Sequence, residues 1–111
     1  MDLQTRTENN AIVITISGRL DTVTAPEYEK KILELIEGGN NRFVVDFEQL
    51  DFISSAGLRV LLLMAKLLKE KNGQVRLANV KGNVYSVFEM SGFTTLFKME
   101  NSIAAALATL I

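Results

Sequence analysis

The sequence predicts an α/β domain: a mixed β-sheet of about four or five strands, with about four α-helices packed against it. Three observations lead there. Residues Ala11 to Ser17 (AIVITIS) alternate strictly, with Ile12, Ile14 and Ile16 on one face and Val13, Thr15 and Ser17 on the other, which is strand periodicity. Two later segments, from Thr24 and from the Ser54-Ser55 pair, carry apolar residues at helical spacing behind start signals. After an opening hairpin, helical and strand-like segments alternate to the end of the chain, so several strands must be joined by helical crossovers.

The elements follow in order. Leu3 to Glu8 alternates weakly and reads as an edge strand. Glu8-Asn9-Asn10 suits a hairpin turn, because asparagine tolerates positive φ. Gly18 is expected to end the second strand, and Arg19-Leu20-Asp21 to form a turn. Thr24-Ala25-Pro26-Glu27 has the form of a capping box, with Thr24 as N-cap and proline in the first turn. That helix is expected to run to about Glu37 and stop at Gly38-Gly39, with Tyr28, Ile32, Leu35 and Ile36 inward. Arg42 to Phe47 is a short apolar strand. A helix then runs from the serines to about Lys71, followed by a strand over Gln74 to Val80 and a helix over Asn83 to Met90. A short strand over Phe97 to Glu100 precedes a last helix over Ser102 to Ile111, whose Ile103, Leu107, Leu110 and Ile111 share a face.

Composition narrows the function. The 111 residues suit one domain over residues 1–111, long enough to bury a core without staples. There is no cysteine and no histidine. Disulfides, thiolate metal sites and the commonest general base are therefore excluded, and no cofactor or metal is expected. With 12 basic and 13 acidic residues, net charge is −1, so the basic surface that nucleic-acid binding requires is missing. The apolar runs are too short for a membrane span of about 20 residues. The first ten residues lack the apolar stretch of a signal peptide, so a cytoplasmic protein is expected. Neither a phosphate-binding glycine loop nor paired carboxylates at a telling spacing point to an enzyme.

One stretch stands out: Asp51-Phe-Ile-Ser-Ser-Ala-Gly-Leu58, running into Arg59-Val-Leu-Leu-Leu-Met-Ala-Lys66. At about 100° per residue, Val60, Leu61, Met64, Leu67 and Leu68 face inward. Leu62 falls between lysines on the outer side, and Ser55 shares that side with Arg59, Leu62 and Lys66. Ser54 turns towards the core edge. The first amides of a helix are unsatisfied and its N-terminus carries about half a positive charge, so an anion on Ser55 would be accommodated, with Arg59 one turn along. Gly57 would leave room for an approaching group. The ordinary alternatives are that a serine here only caps the helix and that Gly57 only allows close helix–strand packing.

The run VVDFEQLDFISSAGLRVLL, preceded by ISGRLD and followed by GFTTLF, resembles the STAS domain family and, within it, the bacterial anti-sigma factor antagonists. The resemblance covers essentially the whole chain. It implies a STAS-type mixed sheet and a partner switch. In such a switch the unmodified antagonist binds an anti-sigma factor that is also a serine kinase, and the sigma factor is released. Phosphorylation ends the binding, and a PPM-type serine phosphatase reverses it. The family's modified residue lies two positions before Gly-Leu, which is Ser55 here. Ser54 stands where many antagonists carry aspartate. Ser54, Ser55, Gly57, Arg59, Leu62, Lys66 and Asp21 are the expected partner surface: the resemblance implies Ser55 and a position for Asp21 near the serine loop, and the placement of Leu62 between lysines on the outer face adds Arg59, Leu62 and Lys66. The turn position of Asp21 equally suits an aspartate that bonds its own backbone. The rival reading is an unphosphorylated STAS interaction subunit of a lipid-transport or signalling assembly.

Overall fold

The computed structural model describes residues 1–110; Ile111, expected on the inner stripe of the last helix, lies outside them. The elements run β1 (Asp2–Glu8), β2 (Ala11–Leu20), α1 (Ala25–Glu37), β3 (Arg42–Asp46), β4 (Leu50–Ile53), α2 (Ser55–Glu70), β5 (Gln74–Ala78), α3 (Gly82–Met90), a 3₁₀ turn (Phe93–Thr95), β6 (Met99–Glu100) and α4 (Ile103–Ala108). The mixed sheet with helices packed against it is as expected. It has six strands in the order β1-β2-β3-β5-β6, with β4 also paired to β2. Only β1 is antiparallel to its neighbour; the β2–β3, β3–β5, β5–β6 and β2–β4 pairs are parallel.

The opening hairpin turns on Asn9 and Asn10, both at positive φ (52° and 63°). That is the twist that matches two flanking strands across a two-residue loop. The alternation in β2 sorts side chains between two cores. Ile12, Ile14 and Ile16 join Phe43, Val45 and Leu77 beneath α1 and α2, with Tyr28, Ile32, Val60, Leu61, Met64 and Leu68. Ala11 and Val13 join Val44 and Ala78 on the other face, covered by Ala106, Leu107 and Leu110. Arg76, buried in β5, fastens the end of α4. Its Nε donates to Thr109 Oγ1 at 2.9 Å and its Nη2 to the Thr109 carbonyl at 3.2 Å, a favourable place for a cation at a helix C-terminus. Gly92 at φ 75° turns the chain after α3 so that Phe93 and Phe97 pack edge-on to Phe88, at 6.1 and 6.4 Å between ring centroids.

Three local expectations are corrected. Gly18 does not end β2. At φ 85° it sits at a bulge, and the strand continues through Arg19 and Leu20, which were expected in a turn. Leu50–Ile53, assigned no element between the strand at Arg42–Phe47 and the serine helix, forms β4 along that extension. The capping box at α1 is not formed. Thr24 has helical dihedrals (φ −96°, ψ −20°) and makes no side-chain cap bond. Its hydroxyl accepts from the Asp21 N–H at 2.9 Å and donates to the Arg19 carbonyl at 2.8 Å. Asp21 does the capping one turn earlier: its Oδ1 accepts from the Val23 and Thr24 N–H groups at 3.0 and 3.2 Å, and the Ala25 N–H bonds the Asp21 carbonyl at 2.7 Å. Satisfying first-turn amides is the task the box was expected to perform.

Candidate functional site: the serine loop and the outer face of α2

The bulge at Gly18 creates the site. Gly18 donates to the Gln49 carbonyl at 3.1 Å, which brings β4 alongside the end of β2, with Arg19 opposite Phe52 and Leu20 opposite Ile53. The Leu20 carbonyl then accepts from the Ser54 N–H at 2.9 Å. The residue before α2 is thus tied to the strand that leads to Asp21.

Ser54 is the N-cap by its backbone: it is extended (φ −103°, ψ 175°) and its carbonyl accepts from Leu58 N–H at 3.0 Å. Its side chain makes no cap bond, and its Oγ is buried without a partner. The side-chain cap reading therefore fails for Ser54, and the hydroxyl is not available to a partner. Ser55, one residue on, is exposed. Removing a buried hydroxyl that has no partner removes only its desolvation penalty. Ser54→Ala is therefore expected to melt within about 0.5 kcal/mol of the parent or above it. Loss of a working cap would lower stability by roughly 1 kcal/mol, and thermal denaturation distinguishes the two.

Gly57 is buried and does not clear space for a ligand. A Cβ there would lie 2.9 Å from Ile53 Cγ1, 2.9 Å from Leu20 Cγ and 3.0 Å from the Leu20 carbonyl oxygen. The glycine lets the first turn of α2 sit directly on β2 and β4. That is the packing alternative, and it moves Gly57 from the partner surface into the core.

Arg59, Leu62 and Lys66 lie exposed on the outer side of α2 with Ser55. Leu62 is 40% exposed, against 0% for Val60 and Leu61 on the inner side. Arg59 is already engaged: its Nη2 lies 3.6 Å from Glu29 Oε1 of α1. At the other end of the loop, the Asp21 carboxyl is held below its ordinary pKa chiefly by the Thr24 N–H, against desolvation and with help from Val23 N–H and Arg19. Asp21 therefore has a structural occupation, the turn role foreseen as one of its two readings. Two features were not foreseen. The Arg19 guanidinium lies 4.2 Å from the centre of the Phe52 ring, within cation–π range, and Val23 is 85% exposed beside Asp21. Val23 could have been noted as a lone apolar residue among turn residues. The Arg19–Phe52 pair depends on the bulge and on β4, neither of which has a local signal.

The sequence profile of the STAS domain matches residues 2–106. The chain belongs to the STAS domain family. Among curated relatives of this STAS domain is BtrV of Bordetella bronchiseptica, named as an anti-sigma factor antagonist; it is 39% identical over 97 residues, which are 87% of this chain and 84% of BtrV. A solved anti-sigma factor antagonist structure from Thermotoga maritima superposes with TM-score 0.93 at 16% identity, covering 97% of this chain and 93% of the other. The antagonist SpoIIAA of Bacillus has been solved unphosphorylated (TM-score 0.74, 22% identity, 94% and 92% covered) and phosphorylated (0.73, 24%, 94% and 96%). These structural likenesses establish the fold. Among the described residues no helix of the STAS domain is long and apolar enough to cross a membrane.

Proposed function

We propose that this STAS domain is a cytoplasmic anti-sigma factor antagonist, a binding protein rather than an enzyme, switched by phosphorylation of Ser55. The observation that carries the proposal is the exposed serine at the first turn of α2, heading an exposed strip of Arg59, Leu62 and Lys66, in a chain 39% identical to a named antagonist. Unmodified, the strip docks on an anti-sigma factor with serine-kinase activity, which burial of Leu62 stabilises. The kinase transfers the γ-phosphoryl group of ATP to Ser55 Oγ; the hydroxyl proton is lost and ADP leaves. The new group carries about −1.5 to −2 charges. A surface shaped for a neutral hydroxyl cannot desolvate it cheaply, so the complex separates. A PPM-type phosphatase hydrolyses the ester with water, releasing inorganic phosphate and restoring the hydroxyl.

The test is capture of partners from a lysate with and without ATP, using the parent and Ser55→Ala. The parent is expected to hold an anti-sigma factor without ATP and to release it, gaining one phosphate, with ATP; Ser55→Ala holds it in both. Release of Ser55→Ala with ATP would refute the assignment. Inertness of the parent towards ATP would instead favour an unphosphorylated interaction subunit.

Leu62→Ala separates docking from folding. An exposed side chain contributes little to stability, so the variant is expected to melt within about 0.5 kcal/mol of the parent. Its affinity for the anti-sigma factor is expected to fall about tenfold, the equivalent of roughly 1.4 kcal/mol. Titration calorimetry beside a melting curve reads both; a large loss of melting temperature would make Leu62 a core residue.

A further inference from the structure

The β1 strand leaves one edge of the sheet open. It runs seven residues, Asp2–Glu8, mostly exposed, in unbroken register with β2 from Asp2↔Ser17 to Glu8↔Ala11. Native edges are commonly blunted by proline, a bulge or charged side chains, lysine above all; this strand has no proline, bulge or lysine, and its three charges, Asp2, Arg6 and Glu8, are of both signs. Its hydrogen-bonding parity follows from the hairpin. The pair flanking a two-residue turn exchanges both backbone bonds, and pairs then alternate. Asp2, Gln4, Arg6 and Glu8 therefore direct their backbone groups at β2, while Leu3, Thr5 and Thr7 direct theirs outward. The same alternation places the Gly18 N–H on the far side of β2, where it bonds Gln49.

We propose that this edge is a self-association surface. Two copies pair β1 to β1 antiparallel about a two-fold axis, in the register that sets Gln4 opposite Gln4 of the second copy. In that register Asp2 of each copy faces Arg6 of the other on one face of the sheet, and Leu3 faces Thr5 on the other. Opposite charges directly across a ladder stabilise it and like charges oppose it. The other two-fold registers that pair five or more residues of the strand are disfavoured on that count: the one centred on Thr5 sets Asp2 against Glu8, and the one centred on Arg6 sets Arg6 against Arg6, while registers centred on Leu3 or Thr7 pair only three residues of the strand. The charge pattern thus selects one register, as the hydrophobic pattern does in a buried strand. The Arg6–Glu8 ion pair formed within the strand (2.9 Å, side chains 51% and 43% exposed) is a surface pair whose loss is a small opposing term. On the helical side, the edge borders a groove of ≈ 270 Å³ lined by Leu3, Glu27, Lys30, Lys31 and Glu34. Two acids and two bases there let a copy of the same groove approach without net repulsion. Such an interface is isologous and closed, so it ends at a dimer. Ser55, Arg59 and Leu62 belong neither to the strand nor to the groove.

The chain contains no cysteine, so single cysteines report register directly. A non-hydrogen-bonded antiparallel pair brings its Cα atoms to about 4.5 Å, within the roughly 4.4–6.8 Å range of a disulfide. In a glutathione redox buffer, Gln4→Cys is expected to form a disulfide-linked dimer at least tenfold faster than Thr5→Cys. Charge reversal gives a second readout by sedimentation velocity. Asp2→Arg and Arg6→Asp each shift the population towards monomer, and the double variant restores the dimer. Equal rates at positions 4 and 5, faster linkage at position 5, a parent that stays monomeric into the high micromolar range, or a double variant no better than the singles would each overturn the proposal.

Discussion

Gly57→Ala is expected to destabilise the domain by about 1–3 kcal/mol, the range for overpacking a filled site, and to lower its melting temperature by roughly 10 °C at the 4–8 °C per kcal/mol typical of a domain this size. The sign is the opposite of the usual one. Replacing a helical glycine by alanine ordinarily stabilises by about 0.4–1 kcal/mol, because the unfolded chain loses freedom. Here the added methyl meets Leu20 and Ile53 at 2.9 Å, at a branch carbon and a first γ-carbon, and the Leu20 carbonyl at 3.0 Å. None of these is the far end of a flexible side chain. That carbonyl also accepts from Ser54 N–H, so the strain reaches the serine loop itself. A thermal melt equal to or above the parent would mean that α2 lifts off the sheet freely and that the loop is not held as described.

The second large effect is on binding. Phosphorylated Ser55 is expected to weaken affinity for the anti-sigma factor by tenfold at the least, since roughly 1.4 kcal/mol suffices and like-charge juxtaposition or desolvation of a dianion costs several kcal/mol. The domain itself is expected to stay folded. A charge beside the first-turn amides of an exposed helix gains about 0.3–1 kcal/mol. Drawing Arg59 away from Glu29 gives up an exposed ion pair worth about 0–1 kcal/mol. These terms nearly cancel, and both are small beside the 5–15 kcal/mol stability typical of a domain. Calorimetric titration of the modified and unmodified protein measures the effect; equal affinities would remove Ser55 from the interface.

Much of this was readable in the sequence, and what was not has physical reasons. The outer position of Leu62 and the inner positions of Val60, Leu61, Met64 and Leu68 came from helical spacing alone, because α2 is long and its stripe unbroken. The burial of Gly57 was readable from the same spacing, since it falls opposite Leu62 at about 100° per residue; its small size drew attention to access instead of packing. β4 was not readable. Four residues abutting a helix carry no period of their own, and the strand exists only because a bulge at Gly18 extends β2 to meet it. The ion pair of Arg59 with Glu29 joins two helices 30 positions apart in sequence, a contact that only the packing of α1 on α2 creates. Asp21 was recognised as a turn residue, but the capping of α1 was assigned to Thr24, because the turn of helix-like bonds before Ala25 has no apolar period to announce it.

The most direct measurement is a peptide map of the protein after incubation with ATP and the proposed anti-sigma factor kinase, with fragmentation fine enough to separate Ser54 from Ser55. Ser55 is exposed at the head of the strip of Arg59, Leu62 and Lys66, and Ser54 Oγ is buried, so a single phosphate on Ser55 is the predicted result. A phosphate on Ser54, or on any residue away from the start of α2, would contradict the account.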